Sequence, residues 1–201
     1  MDKKNETIQT YDENAESMAR KFNNIGVREE DLERFFDLVE NKDSPSVIEI
    51  GCGNGREAEE ILKYTNNYLG LDFSRGMLNL ARKRLPEGKF ELVDIENYTF
   101  PIKIDGIVSF ASLLHSNREN IGEVLKRAAT GLIKGGIFYI SLKKGIYNAE
   151  GDTKTDEFGT RTFYYYDLKM LEEAAIDYDV VYSSEQHLNG QDWFTIALKK
   201  K

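Results

Sequence analysis

The chain has 201 residues, 40% of them hydrophobic, which is enough for one fully packed domain. Its 35 acidic and 27 basic residues give a net charge of −8. That balance argues against nucleic acid as a partner, because phosphate backbones are bound by clustered lysine and arginine, and the runs Arg82-Lys83-Arg84 and Lys199-Lys200-Lys201 are short and separate. Cys52 is the single cysteine, so no internal disulfide forms, and no apolar run approaches the roughly 18 residues that span a bilayer. The segment from Met1 to Glu6 is polar, with no signal peptide behind it, so the expectation is a cytoplasmic protein off the membrane. One cysteine and two histidines, His115 and His187, are too few for a structural zinc site, and no metal is expected.

In chain order, residues 1–44 form a helical cover whose amphipathic part carries Leu32, Phe35, Phe36 and Val39 at helical spacing. Val47-Ile48-Glu49-Ile50 then reads as a buried strand, followed at once by a glycine turn and a helix start, Gly51-Cys52-Gly53-Asn54-Gly55-Arg56-Glu57. Tyr68-Leu69-Gly70-Leu71-Asp72 is a second apolar strand ending in an acid, and Ser74 suits the N-cap of a helix carrying Met77, Leu78, Ala81 and Leu85. A third strand, Phe90-Glu91-Leu92-Val93, ends in Asp94 and Ile95. A fourth runs from Asp105 through Phe110, Ala111 and Ser112 toward Leu114 and His115. Ile121, Val124, Leu125, Ala128, Ala129 and Leu132 mark a periodic helix that closes on a Gly135-Gly136 turn before a fifth strand, Ile137 to Leu142. Residues 143–166 are too long for a connector and read as a lid, with a mobile polar half (151–156) and an aromatic half (158–166) that alternates like a short hairpin. In residues 167–201 a helix precedes two strand-like runs joined around Gly190, which should pair antiparallel.

The glycine spacing selects the ligand. Glycines at 51, 53 and 55 permit positive φ and let backbone amides approach a nucleotide-like ligand. A dinucleotide fingerprint needs its third glycine at position 56, which is Arg56, and no Lys-Ser or Lys-Thr follows the turn, so a nicotinamide site is disfavoured and a phosphate-binding P-loop excluded. An acid about 20 residues past such a loop can accept hydrogen bonds from both hydroxyls of a ribose, and Asp72 stands there. Cys52, inside the loop, reads as a small buried filler rather than a nucleophile.

The segment E-x-G-x-G-x-G from Glu49 to Gly55, with acids at the next two strand ends, resembles the cofactor loop of class I S-adenosylmethionine-dependent methyltransferases, and the likeness runs in order from about 45 to 142. It implies an α/β, Rossmann-like, seven-stranded, mostly parallel sheet with helices on both faces and a C-terminal antiparallel hairpin. The implied cofactor is S-adenosylmethionine, lying across the C-terminal strand ends near Gly51. Residue by residue, the resemblance puts Glu49, Gly51, Cys52, Gly53, Asn54 and Gly55 in the loop around it, Asp72 on the ribose, and Phe73 and Met77 against the adenosine. Asp94 would accept from the adenine amino group, and the Ile95 amide would donate to the ring. Phe110, Ala111 and Ser112 would receive the methionine portion, leaving Leu114 and His115 toward the transferable methyl. Tyr11-Asp12-Glu13-Asn14-Ala15 resembles a Y-D-x-x-A segment of small-molecule methyltransferases whose tyrosine closes over the sulfonium; a hydrophobic staple is an equal reading of Tyr11.

His115 is the candidate base, since imidazole titrates near neutrality, with helix capping or substrate holding as the alternatives. The family's D/N-P-P-Y/F segment for base or amide nitrogens is absent, its place held by Phe110-Ala111-Ser112-Leu113. The expected acceptor is therefore a small molecule bearing a nitrogen or oxygen nucleophile. A non-catalytic cofactor-binding regulator and a macromolecule-directed methyltransferase remain as alternatives.

Overall fold

Three helices, α1 (Lys3–Glu13), α2 (Ala15–Ile25) and α3 (Glu29–Leu38), precede the sheet in the computed structural model, which describes residues 2–201. The strands β1 (Val47–Ile50), β2 (Tyr68–Asp72), β3 (Phe90–Leu92), β4 (Ile104–Phe110), β5 (Leu132–Lys143), β8 (Tyr178–Leu188) and β9 (Gln191–Lys200) form one seven-stranded sheet, in the order β3-β2-β1-β4-β5-β9-β8. β1 to β5 pair in parallel, while β9 runs antiparallel to both β5 and β8. This is the α/β architecture anticipated from the sequence, closing hairpin included. A separate pair, β6 (Asp152–Asp156) and β7 (Gly159–Phe163), stands outside the sheet.

Local signals account for most elements. All four residues of β1 are buried, as expected of a central parallel strand covered on both faces. α5 (Arg75–Arg84) begins where Ser74 accepts a hydrogen bond from the Met77 amide at 3.1 Å, and α6 (Arg118–Gly131) begins where Asn117 accepts from the Asn120 amide at 2.9 Å. The apolar stripe of α6 packs on one sheet face with Phe138 and Ile140. α3 packs on the other with Val47, Val108 and Ile137. There a Cβ on Gly106 would meet the Phe35 ring at 2.3 Å, so this glycine makes the helix seat. The short helices α4 (Arg56–Ile61) and α7 (Leu168–Ala174) complete the layers.

Three details differ from the sequence-based expectation. The amphipathic stretch of the N-terminal cover, α3, is a sheet-face helix, and the cleft is covered instead by α1, which packs against β7 and α5. Apolar periodicity reports burial and not which surface does the burying. The Gly135-Gly136 turn is a bulge within β5: pairing passes from Ile104 opposite Leu132 to Gly106 opposite Ile137, with Gly135 at φ 80°. The polar half of the lid is not loose chain but β6, whose Thr153 and Lys154 pair with Thr162 and Arg161 of β7.

Candidate functional site

Strand, turn and helix succeed one another so tightly after β1 that the backbone itself lines a cleft at the C-terminal ends of β1, β2 and β4, the usual ligand side of such sheets. Gly51, Gly53 and Gly55 all have positive φ, at 74°, 53° and 76°. Their environments differ. A Cβ on Gly51 would lie 2.1 Å from Ser112 Oγ, and one on Gly55 would press on Ala81 of α5 at 3.3 Å, whereas one on Gly53 meets nothing within 4 Å and would point into open space. Gly51 thus seats the turn after β4, Gly55 seats α5, and Gly53 leaves room for a ligand. The cavity has a volume of about 470 Å³, within the usual range for small-molecule sites.

Asp72 stands at the tip of β2, its Oδ2 accepting from the Gly53 amide and its Oδ1 from the Ser74 amide, each at 2.8 Å. Burial pushes its carboxyl up to about 6, against the pull of these two amides. Glu49 is buried one strand over and accepts from Tyr68 Oη at 2.6 Å. Burial and the charge of Glu57 hold its pKa above the usual carboxylate range. Glu57 in turn takes the Arg56 Nε at 2.8 Å. The Cys52 thiol is raised by burial, and its Sγ fills the space over Gly70. Asn54 donates to Asn23 of α2 at 2.9 Å, tying the cover to the loop.

The opposite wall centres on Tyr11 and His115. Tyr11 Oη and His115 Nε2 are 3.0 Å apart, and His115 Nδ1 lies 2.7 Å from the Thr162 carbonyl. A carbonyl only accepts, so Nδ1 carries the proton and Nε2 accepts from Tyr11. Burial lowers His115 to about 4 and raises Tyr11 to about 12, so the pair is neutral at physiological pH. Phe73 packs edge-on against Tyr11 with ring centroids 5.5 Å apart. His115 does not cap the next helix, a task Asn117 performs.

Of the residues singled out from the sequence, Tyr11, Glu49, Gly51, Cys52, Gly53 and Asn54 border the cavity. So do Asp72, Phe73, Met77, Phe110, Ala111, Ser112 and His115. Ala111 holds φ 53°, a strained value for a residue with a Cβ, at the turn where β4 leaves the sheet. Three residues are placed elsewhere. Gly55 packs under α5, while Asp94 and Ile95 lie off the cavity: Asp94 receives Lys4 Nζ of α1 at 2.7 Å and the Glu96 amide at 3.1 Å. The short acid-ended strand gave no sign that a lysine some ninety positions away would occupy this carboxylate.

The sequence reading missed a basic wall made by Lys143 at the end of β5, Lys154 of β6 and Arg161 of β7, together with Lys21 of α2. Strand alternation was its one legible signal, since Arg161 and Phe163 lie two apart and share a face. Both border the cavity.

Residues 47–136 match the family model described as "Methyltransferase domain". The chain is 30% identical over 108 residues to a dTDP-3-amino-3,4,6-trideoxy-alpha-D-glucopyranose N,N-dimethyltransferase of Streptomyces venezuelae, covering 52% of this chain and 46% of that one. It is 29% identical over 102 residues to a trans-aconitate 2-methyltransferase of Rhodopseudomonas palustris, covering 50% and 39%. Among solved structures, the DhpI–SAH complex superposes with a TM-score of 0.73 at 14% identity, covering 98% of this chain and 97% of the other. The matches span half or less of the length of these curated relatives. The open turn at Gly53 and the amide-held Asp72 carboxylate fit S-adenosylmethionine, and the chain has the fold of the class I S-adenosylmethionine-dependent methyltransferases.

Proposed function

We propose that the chain transfers the methyl group of S-adenosylmethionine to a nitrogen or oxygen nucleophile of a small molecule by in-line displacement. The observation that carries this reading is a covered cleft in which the cofactor-type residues Gly53 and Asp72 are faced by the neutral Tyr11–His115 pair, beneath α1 and the β6–β7 hairpin. A cleft roofed in this way favours a metabolite over a folded macromolecule. The two curated relatives named above carry small-molecule acceptors in their names, which supports the same class.

When bound, S-adenosylmethionine supplies a methyl group on a sulfonium, whose C–S bond breaks toward sulfur as the acceptor's lone pair forms the new bond. Asp72 would accept from the ribose hydroxyls, and Phe73 and Met77 would lie against the adenosine. The turn from Phe110 to Ser112 would receive the methionine portion, and Tyr11 would cover the reacting centre. His115, lowered to about 4 by burial, is a weak base and chiefly positions the Tyr11 hydroxyl. Alignment and exclusion of water then carry the acceleration, for which effective molarities on the order of 10⁵ to 10⁸ M are attainable.

Calorimetric titration with S-adenosylhomocysteine tests the binding half. Incubation with methyl-labelled S-adenosylmethionine and, separately, a small-molecule extract, total protein and total RNA tests the acceptor. Label confined to the small-molecule fraction is the expected result. Label in protein or RNA alone overturns the acceptor class, and binding with no transfer to any fraction leaves a cofactor-binding protein instead of an enzyme.

A further inference from the structure

The basic wall opposite the glycine loop has a feature that packing alone does not explain. Arg161 is only 7% exposed, and its guanidinium lies among the Tyr11, Phe158 and Phe163 rings, with centroids 6.0, 5.9 and 5.6 Å from Cζ. One terminal nitrogen pairs with Asp156, but the buried Nε has no hydrogen-bond partner. A buried donor of a charged group left unpaired is costly, and such groups in native proteins are normally satisfied by something. Lys143 Nζ sits 4.2 Å over the Phe163 ring and 5.8 Å from that of Trp193, and among the described residues it makes neither a hydrogen bond nor an ion pair. Lys154 is engaged by Tyr165 Oη at 2.6 Å, and Lys21 lies over Phe158 at 4.6 Å. Asp156 is the one carboxylate set among these four cations, the cavity's other acids, Glu49, Glu57 and Asp72, lining its opposite end, in a chain whose net charge is −8. Positive charge concentrated in a low-dielectric pocket of an acidic protein is a focused field for an anion.

We propose that this wall is the acceptor's specificity site, and that the acceptor carries an oxyanion, a carboxylate or a phosphonate or phosphate, held by Arg161 Nε and Lys143 Nζ. The inference rests on the methyltransferase reading and names its substrate class. The position is apt: Phe163 follows Arg161 on the same face of β7 and packs against His115 with ring centroids 5.0 Å apart, so an anion gripped here lies beside the Tyr11–His115 pair. Arg supplies a planar fork and Lys a mobile point charge, a combination suited to a three-oxygen or two-oxygen anion.

The test uses the full chain saturated with S-adenosylhomocysteine and titrated calorimetrically with tricarballylate, with methylphosphonate and with the uncharged tricarballylamide. Saturable binding of at least one anion and none of the amide is expected; which anion binds distinguishes a carboxylate from a phosphorus oxyanion. Arg161→Gln and Lys143→Gln should each weaken that anion at least tenfold, with Arg161→Lys recovering part of the loss, while S-adenosylhomocysteine affinity stays within twofold. Lys143→Gln keeps the test open if Arg161→Gln does not fold. Anions that do not bind, or that bind the variants as well as the parent, overturn the proposal. So does a parallel loss of S-adenosylhomocysteine affinity, which would assign the wall to the cofactor's own carboxylate. Failure of the parent to bind S-adenosylhomocysteine at all strikes the methyltransferase reading instead.

Discussion

At its glycine-loop end the cleft is walled by Glu49, Glu57 and Asp72, with Arg56 bound to Glu57; at its lid end it is walled by Lys143, Lys154, Arg161 and Lys21, with Asp156 among them. The two ends meet at Tyr11, whose pKa is raised chiefly by burial, with Arg161 lowering it and Asp72 raising it. They are also scaffolded differently. The acidic end is built from the adjacent strands β1 and β2, which carry Glu49 and Asp72, and from the first turn of α4, which carries Glu57. The basic end comes from an inserted hairpin and the last residue of β5, held by α1 through Thr7 Oγ1, which accepts from the Thr162 amide at 3.0 Å, and through Thr10 Oγ1, which donates to the Thr160 carbonyl at 2.7 Å. A rigid end suits a constant ligand, and a pinned insertion suits a variable one.

The largest effect should come from filling the acidic end. Gly53→Val sets a branched side chain at φ 53° and points it into the space left for a ligand. Loss of S-adenosylhomocysteine affinity of roughly a hundredfold or more is expected by calorimetry, in a protein that keeps its far-ultraviolet circular dichroism. Full binding by that variant would remove the glycine loop from the site. Asp72→Ala comes next, with a weakening of about 1–3 kcal/mol, the usual range for a charge-assisted hydrogen bond. Tricarballylate binding at the basic end should change little, and a shared loss would mean that the two ends are not separable.

Legibility in the sequence follows the same division. The acidic end is contiguous: Glu49 to Gly55 is one turn, and Asp72 closes the next strand, so spacing alone brought them together. The basic end is assembled from residues 21, 143, 154 and 161, whose meeting depends on a hairpin and a helix that no local pattern orients. The alternation of 158–166 pointed to a short hairpin within that stretch, but only Gly159–Phe163 is strand and its partner is β6, Asp152–Asp156, which is polar and largely exposed and so lacks the apolar signal by which strands are recognised. α3, the amphipathic part of the expected cover, lies on the sheet face for the converse reason: its apolar stripe is strong, and the sheet takes it.

The third effect sharpens the charge contrast through pH. Lys143 is lowered from the ordinary lysine value to about 8, by burial first and then by Lys154, Arg161 and Lys21, with Asp156 opposing. A lysine with a depressed pKa is charged below that value and loses its charge as pH rises through it. Anion affinity should therefore be level below about pH 7.5 and fall by up to about tenfold per pH unit above about 8, accompanied by proton uptake on binding. Lys143→Arg should flatten the profile, because guanidinium stays charged. A profile that falls equally in both proteins would detach Lys143 from the anion.

The smallest effect concerns Asp94, the acid after the third strand, which lies off the cavity and is bound by Lys4 of the cover. Lys4 reaches Asp94 Oδ1 and Oδ2 at 2.7 Å each, and Glu96 Oε2 at 2.5 Å. Burial pushes the Asp94 carboxyl up, but the hydrogen bonds from Lys4 and from the Glu96 amide outweigh it, so its pKa is lowered. The side chains of Lys4 and Asp94 are 31% and 36% exposed, so solvent screening leaves their pairing worth no more than about 1 kcal/mol. Lys4→Ala should accordingly lower stability in urea by less than that amount. Its informative readout is ligand affinity. With Lys4 holding the carboxylate, Asp94→Ala alone should leave S-adenosylhomocysteine affinity within about twofold, an interaction near the lower limit of measurable hydrogen-bond contributions. In the Lys4→Ala background the same Asp94→Ala change should cost more, because the freed acid can turn to the adenine amino group. A tenfold loss from Asp94→Ala with Lys4 in place would mean that the acid already serves the cofactor and that α1 shields it rather than diverts it.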